Sequence, residues 1–124
     1  MEFNELIKKR RSIRKYRDKE IPADVIQDLI QAATLAPSAG NGQPWRFIIV
    51  NNRAMMKRIS DESKKNIQAR IKANPDDYAR RYQKLLGNEE FNVFYNAPCL
   101  VLILGEANRK NIQIDCTLAA SYLM

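Results

Sequence analysis

Arg10, Arg11, Ser12 and Arg14 place three guanidinium groups and a hydroxyl in one short stretch of the chain. Guanidinium forks pair with phosphate oxygens two hydrogen bonds at a time, which scattered lysines do not. If the N-terminal helix or its final turn runs through this stretch, Arg10 and Arg14 share a face and Ser12 adds a donor beside them. The result is a cup for one phosphate; a solvated basic turn or a nuclear-localisation-like run is the ordinary alternative. A second segment, Ala36-Pro37-Ser38-Ala39-Gly40-Asn41-Gly42-Gln43-Pro44-Trp45-Arg46-Phe47, joins a helical pattern to a strand pattern. Its glycines let backbone approach a flat ligand closely, and the Asn41 and Gln43 amides can match the donors and acceptors on a heterocycle edge. Trp45 reads as a core anchor or a stacking group, and the segment alone also fits a rigid turn stiffened by prolines. Neither segment has the spacing of a P-loop or a dinucleotide GxGxxG turn, so a mononucleotide-type ligand is the more economical reading.

The charge balance supports a local anion site. The 124 residues carry a formal charge of +7, and residues 8 to 19 (KKRRSIRKYRDK) hold eight of the basic residues against the single acid Asp18. The remainder is balanced. A protein that tracks a nucleic-acid backbone usually spreads its basic residues along a face, whereas this excess is confined to one cluster. At 45% apolar and 28% charged residues the composition is that of an ordinary globular domain with one core. The longest apolar run, residues 97 to 104, is far shorter than a membrane span needs, and MEFNELIKK lacks the apolar stretch of a signal peptide. A cytoplasmic protein is the expectation. Cys99 and Cys116 have no CxxC spacing and the chain has no His, so two buried free thiols are expected and no metal site. The missing His also removes the commonest general base.

The elements that must position these segments follow from periodicity. Phe3, Leu6 and Ile7 predict a helix over about residues 3–10, and Val25, Ile26, Leu29, Ile30 and Ala33 predict a stronger one after Pro22. That second helix must stop near Ala36, because Pro37 disfavours helical backbone in the residue before it. Phe47 to Val50 and Leu100 to Leu104 read as strands apolar on both faces. Between them, residues 53–72 carry helical signals broken by Asn74-Pro75. A short amphipathic helix with Tyr78, Tyr82, Leu85 and Leu86 then ends near Gly87, and its Arg80, Arg81 and Lys84 form a solvated face. A last helix begins near Lys110, with Ile114, Leu118, Tyr122 and Leu123 in register and no stop signal before Met124. Two strands apolar on both faces want further strands and helical layers. The chain is therefore expected to be an incomplete domain, or one completed by a partner.

RRSIRKY followed by APSAGNGQPWRFIIV resembles the nitroreductase family of FMN-dependent NAD(P)H oxidoreductases. The likeness continues in Tyr95-Asn96-Ala97-Pro98-Cys99-Leu100-Val101 and in the final helix, whose DCTLAASYLM is similar to the family's D-x-x-x-A-A-x-x-L-M pattern. Residues 53–90 are the least specific part. The resemblance implies a three-layer α+β fold, a central sheet with helices on both faces, and an intertwined homodimer with two FMN sites at its interface. Carried over by position, it implies that Arg10, Arg11, Ser12 and Arg14 bind the FMN phosphate and ribityl end. Pro37, Ser38, Ala39 and Asn41 would come from the other subunit to line the isoalloxazine ring, with Gln43 nearby and Asn92 as a further flavin contact. Family members continue past this point into a Gly-rich loop, further strands and a C-terminal basic residue, so residues 1–124 would be the N-terminal portion of one domain.

The implied function is electron transfer from NADH or NADPH through FMN to a small organic acceptor such as a nitroaromatic or a quinone. No side chain is assigned as a general acid or nucleophile, in keeping with the missing His. Two other readings stand beside it. One is a basic module that docks residues 8–19 on nucleic acid or an acidic partner, with affinity falling steeply in salt. The other is a family member that binds flavin without turnover.

Overall fold

The run Trp45-Arg46-Phe47-Ile48-Ile49-Val50 alternates inward and outward side chains, as one covered sheet face requires. It forms strand β1 (Trp45–Val50), hydrogen-bonded to strand β2 (Leu100–Gly105) in a two-stranded sheet. The computed structural model describes residues 2–124. It is α+β, with helices α1 (Phe3–Lys9), α2 (Ala23–Thr34), α3 (Arg53–Ala73), α4 (Gln83–Leu86) and α5 (Ile112–Leu123). The elements sort into two units: one made of the residues up to Ile13, Glu20–Ile49 and those from Val101 onward, the other of Arg14–Lys19 and Val50–Leu100.

In the first unit, α2 and α5 pack on each other. Ala33 of α2 and Ala119 of α5 are both fully buried, and such small side chains let helices approach closely. Trp45 joins Ala36 and Ala119 in the core, with Phe47, Ile103, Cys116 and Leu118 packed around them. Trp45 is thus a core anchor, not a stacking group. On the other side of β1, Arg46 and Ile48 are exposed. Strands apolar on both faces were expected to want cover that this stretch of chain does not supply, and among the described residues the second face of β1 is open. Helix α1 carries no buried residue, and its Phe3, Leu6 and Ile7 are all exposed.

The second unit is built on α3. The Asn52 side chain caps its start by accepting the Met55 N–H at 2.9 Å. The chain turns after Asn74 into a 3-10 turn (Tyr78–Tyr82) that runs directly into α4. The short helix expected over Tyr78–Leu86 is therefore half 3-10. Asp77 caps this turn through the Ala79 N–H at 2.8 Å and pairs with Arg70 at 2.7 Å. These two contacts, the backbone N–H first, hold the Asp77 carboxyl below its ordinary range. Ile71, Ala79 and Leu86 form the small core of this unit, with Ile67 against it.

Candidate functional site

The loop between α2 and β1 folds into one tight turn, Ala39–Asn41. Ser38 C=O accepts the Asn41 N–H at 2.9 Å and Ala39 C=O accepts the Gly42 N–H at 3.1 Å. Gly40 (φ +58°), Asn41 (φ +53°) and Gln43 (φ +47°) all lie in the left-handed region. Glycine reaches it freely and asparagine with little penalty, whereas at Gln43 it is a strained conformation. Two side-chain contacts hold that strain: the Ser38 hydroxyl accepts the Gln43 N–H at 3.0 Å, and the Gln43 amide donates to Asn41 Oδ1 at 3.2 Å. Ser38, Ala39, Asn41 and Gln43 are therefore brought together by direct bonds, with Pro37 and the loop tip exposed. At the base of the loop, the buried Asp115 carboxylate of α5 accepts the Ala39 N–H at 3.1 Å.

Arg10, Arg11, Ser12 and Arg14 are all exposed. Helix α1 stops at Lys9, and Arg10 caps it with extended backbone (φ −55°, ψ +134°). The helix expected over about residues 3–10 does not continue through Arg14, so the condition for Arg10 and Arg14 to share a helical face is not met. The physical reason is that α1 is short and buries nothing, so no packing sustains another turn. Arg11 instead donates to the Lys8 and Arg10 carbonyls at 2.6 and 2.8 Å. In the second unit, the Arg14 guanidinium lies 5.8 Å from the centre of the Tyr95 ring, within cation–π range.

Asn92 lies in the second unit, on the wall of a cleft of about 220 Å³ together with Arg53, Lys57, Glu90, Phe91 and Asn96. Its side-chain oxygen accepts the Phe94 N–H at 2.9 Å and its carbonyl accepts the Tyr95 N–H at 2.9 Å, so Asn92 also shapes the turn that carries it. That turn is held from α3. Lys64, buried on α3, donates to the carbonyls of Phe91 (2.7 Å), Asn88 (3.2 Å) and Glu89 (3.4 Å). The fully buried Ser60 hydroxyl accepts the Val93 N–H at 3.0 Å.

Sequence reasoning missed Lys64, Ser60 and Asp115. Asp115 had a signal, the single charged residue of its helix; Lys64, in a helix full of charges, had none. Both cysteines are free and half-buried, not fully buried as expected. Burial raises both thiols, and the Asp115 carboxylate raises Cys116 further.

Fold and site thus define an α+β domain with a small-residue loop entering its sheet and an exposed arginine cluster behind its first helix. The chain belongs to the nitroreductase family, whose model matches residues 7–124. It is 48% identical over 61 residues to a protein of Methanothermobacter thermautotrophicus provisionally named an NADH dehydrogenase/NAD(P)H nitroreductase, covering 49% of this chain and 32% of that one. It is 28% identical over 127 residues to an iodotyrosine deiodinase of Thermotoga neapolitana, covering 97% of this chain and 64% of that one. Among solved structures, a nitroreductase with bound FMN from Bacteroides fragilis superposes with a TM-score of 0.79 at 28% identity, covering 97% of this chain and 60% of that one. The chain spans only part of the length of each relative, about a third of the first.

No described helix is long and apolar enough to cross a membrane, and no group of His, Cys, Asp or Glu among the described residues could hold a metal.

Proposed function

We propose that this chain is the flavin-binding portion of an FMN-dependent oxidoreductase that takes reducing equivalents from NADH or NADPH and passes them to a small organic acceptor. The observation that carries the reading is the likeness to an FMN-bound nitroreductase over 97% of the chain, beside a family match over residues 7–124 that includes both the arginine cluster and the loop. The residues present fit the ligand. The arginine cluster exposes guanidinium groups, the donor type suited to a phosphate. At Gly40 no atom lies within 4 Å of the position a Cβ would take, so the tip backbone is open to a flat ring.

FMN, when bound, supplies the redox chemistry, and the protein supplies binding, orientation and electrostatics. Arg10, Arg11, Ser12 and Arg14 would hold the phosphate and ribityl end. Pro37, Ser38, Ala39, Asn41 and Gln43 would line the ring, with Asn92 as a further amide contact. The protein would act as a homodimer in which the arginines of one protomer and the loop of its partner serve the same flavin. Nitroaromatics and quinones are the leading acceptors. A halogenated phenol is the second reading, favoured by the iodotyrosine deiodinase among the relatives.

The purified full-length protein should carry a flavin absorption spectrum and gain thermal stability from added FMN. A colourless protein indifferent to FMN would sink the proposal. Arg10→Ala should weaken FMN binding about tenfold to a hundredfold, as loss of a charge-assisted contact does. Arg17→Ala should change it by about twofold or less through screened charge alone; equal effects would reduce the cluster to general electrostatics. Steady-state reduction of a nitroaromatic, a quinone and an iodophenol side by side, with each nicotinamide, then selects the acceptor class.

A further inference from the structure

We infer that Asp115 and Arg109 are positioning residues that hold the loop Ser38–Gln43 in its ligand-binding shape from the side of α5. Asp115 is only 4% exposed, and its carboxylate oxygen stands 3.1 Å from the Ala39 N–H, 76 residues away in sequence. A buried carboxylate is costly unless hydrogen-bonded, so its presence on the buried side of α5 calls for a partner. The partner is the residue immediately before Gly40, where the chain enters left-handed backbone. Fixing the Ala39 amide fixes the direction in which the next residues leave.

Arg109 acts at the other end of the turn. A Cβ built on Gly42 would come within 2.7 Å of its terminal guanidinium nitrogen, so the guanidinium packs directly on the Gly42 backbone. Glu106 steadies the arginine through its Nε at 3.1 Å. A bare α-carbon at position 42 is what permits this approach. A carboxylate at Ala39 and a guanidinium at Gly42 thus bracket the left-handed residues Gly40 and Asn41 at the tip of the loop.

The inference rests on the flavin reading for its consequence but not for its geometry. A loop released from α5 samples shapes that do not bind, and the apparent dissociation constant rises by the inverse of the competent fraction. In the full-length protein, Asp115→Leu removes the acceptor while keeping an apolar side chain of similar size in the helix, whereas Asp115→Asn keeps an acceptor oxygen at the same reach. FMN affinity, read by flavin fluorescence, should fall about tenfold in Asp115→Leu and stay within about threefold of wild type in Asp115→Asn. Hydrogen exchange of the FMN-free protein should quicken over residues 38–43 in Asp115→Leu while α2 and α5 keep their protection. Exchange rising equally in both helices, or no rescue by Asp115→Asn, would overturn the positioning role and leave Asp115 a packing residue.

Should Asp115→Leu fail to fold, Arg109→Ala and Gly42→Ala decide the matter. Each should quicken exchange in the loop, and the double variant should add little to either single one, because both remove the same contact. Additive effects would overturn it. If the wild-type protein binds no FMN, the flavin reading falls, and the exchange measurements still confirm or refute the clamp.

Discussion

The loop Ser38–Gln43 and the turn Asn88–Asn96 solve one problem with opposite charges. Each carries residues in left-handed backbone, Gly40, Asn41 and Gln43 in the first, Tyr95 and Asn96 in the second. Each is anchored by a buried polar side chain on a helix of its own unit. Asp115 offers a carboxylate oxygen to one backbone N–H of the loop, whereas Lys64 offers an ammonium to three carbonyls of the turn. A carboxylate accepts and an ammonium donates, so the charge of each anchor follows from which backbone groups its loop turns inward. The difference is in redundancy. Both segments also bond within themselves, the loop through Ser38 and Gln43 and the turn through Asn88 and Asn92, but the loop is hydrogen-bonded to its helix by Asp115, whereas the turn is hydrogen-bonded to α3 by both Lys64 and Ser60.

That contrast implies an order of sensitivities. Lys64→Met keeps the length of the side chain and deletes the ammonium, taking a charged donor from the Glu89 and Phe91 carbonyls and leaving Asn88 C=O only the Phe91 N–H. Stability measured by urea unfolding should fall by about 2–3 kcal/mol, the scale for losing the hydrogen bonds of one buried charged donor. A loss below about 1 kcal/mol would mean that water replaces the ammonium and that the turn is not hung from α3. Ser60→Ala removes only the acceptor of the Val93 N–H and should cost about 1–2 kcal/mol, without altering hydrogen exchange in residues 38–43. Equal loosening of both segments would erase the distinction between the two anchors.

Gly40→Ala tests the first loop with packing taken out of the question. Because a Cβ at position 40 meets nothing within 4 Å, the whole cost is that of left-handed backbone at φ +58°. About 1–2 kcal/mol is expected, with unchanged behaviour in the second unit. A neutral result would show that the turn relaxes out of its left-handed shape at no cost.

What was legible in the sequence divides along the same line. Helices and strands came through from periodicity and proline punctuation, and the loop was visible because it combines Gly, Pro, Asn and Ser between two periodic runs. Its supports were not visible. Asp115 is 76 residues from Ala39, and Lys64 lies 24 to 27 residues from its carbonyls, so no local pattern joins them. The helical face that Arg10 and Arg14 would share if α1 ran on is absent for a related reason. Four-residue spacing makes two arginines neighbours only if a helix exists, and α1, with Phe3, Leu6 and Ile7 all exposed, has no packing to extend it. Trp45 could be resolved only by its neighbours Ala36 and Ala119, which no spacing connects to it.

The smallest expected effect concerns acid, and it should touch the second anchor. Asp61 Oδ1 lies 3.8 Å from the Lys64 ammonium, while Oδ2 accepts from Lys57 at 2.6 Å. The hydrogen bond from Lys57 chiefly, with Lys57, Lys64 and Lys65 adding attraction, holds the Asp61 carboxyl below its ordinary value of 3.8. A carboxyl whose folded value is depressed adds stability that is complete above the unfolded value and vanishes as pH falls through the folded one. Stability should therefore begin to decline near pH 4 and keep declining below it, as the carboxylate beside Lys57 and Lys64 is neutralised. In Asp61→Asn that component is absent at every pH, so the variant should be slightly less stable than wild type at neutral pH and converge on it in acid. Urea midpoints at a series of pH values below 6 would show the convergence. Parallel curves for the two proteins would mean that Asp61 is solvated well enough to add nothing to the hold of α3 on the turn, leaving the Lys64 ammonium and its carbonyls to account for it alone.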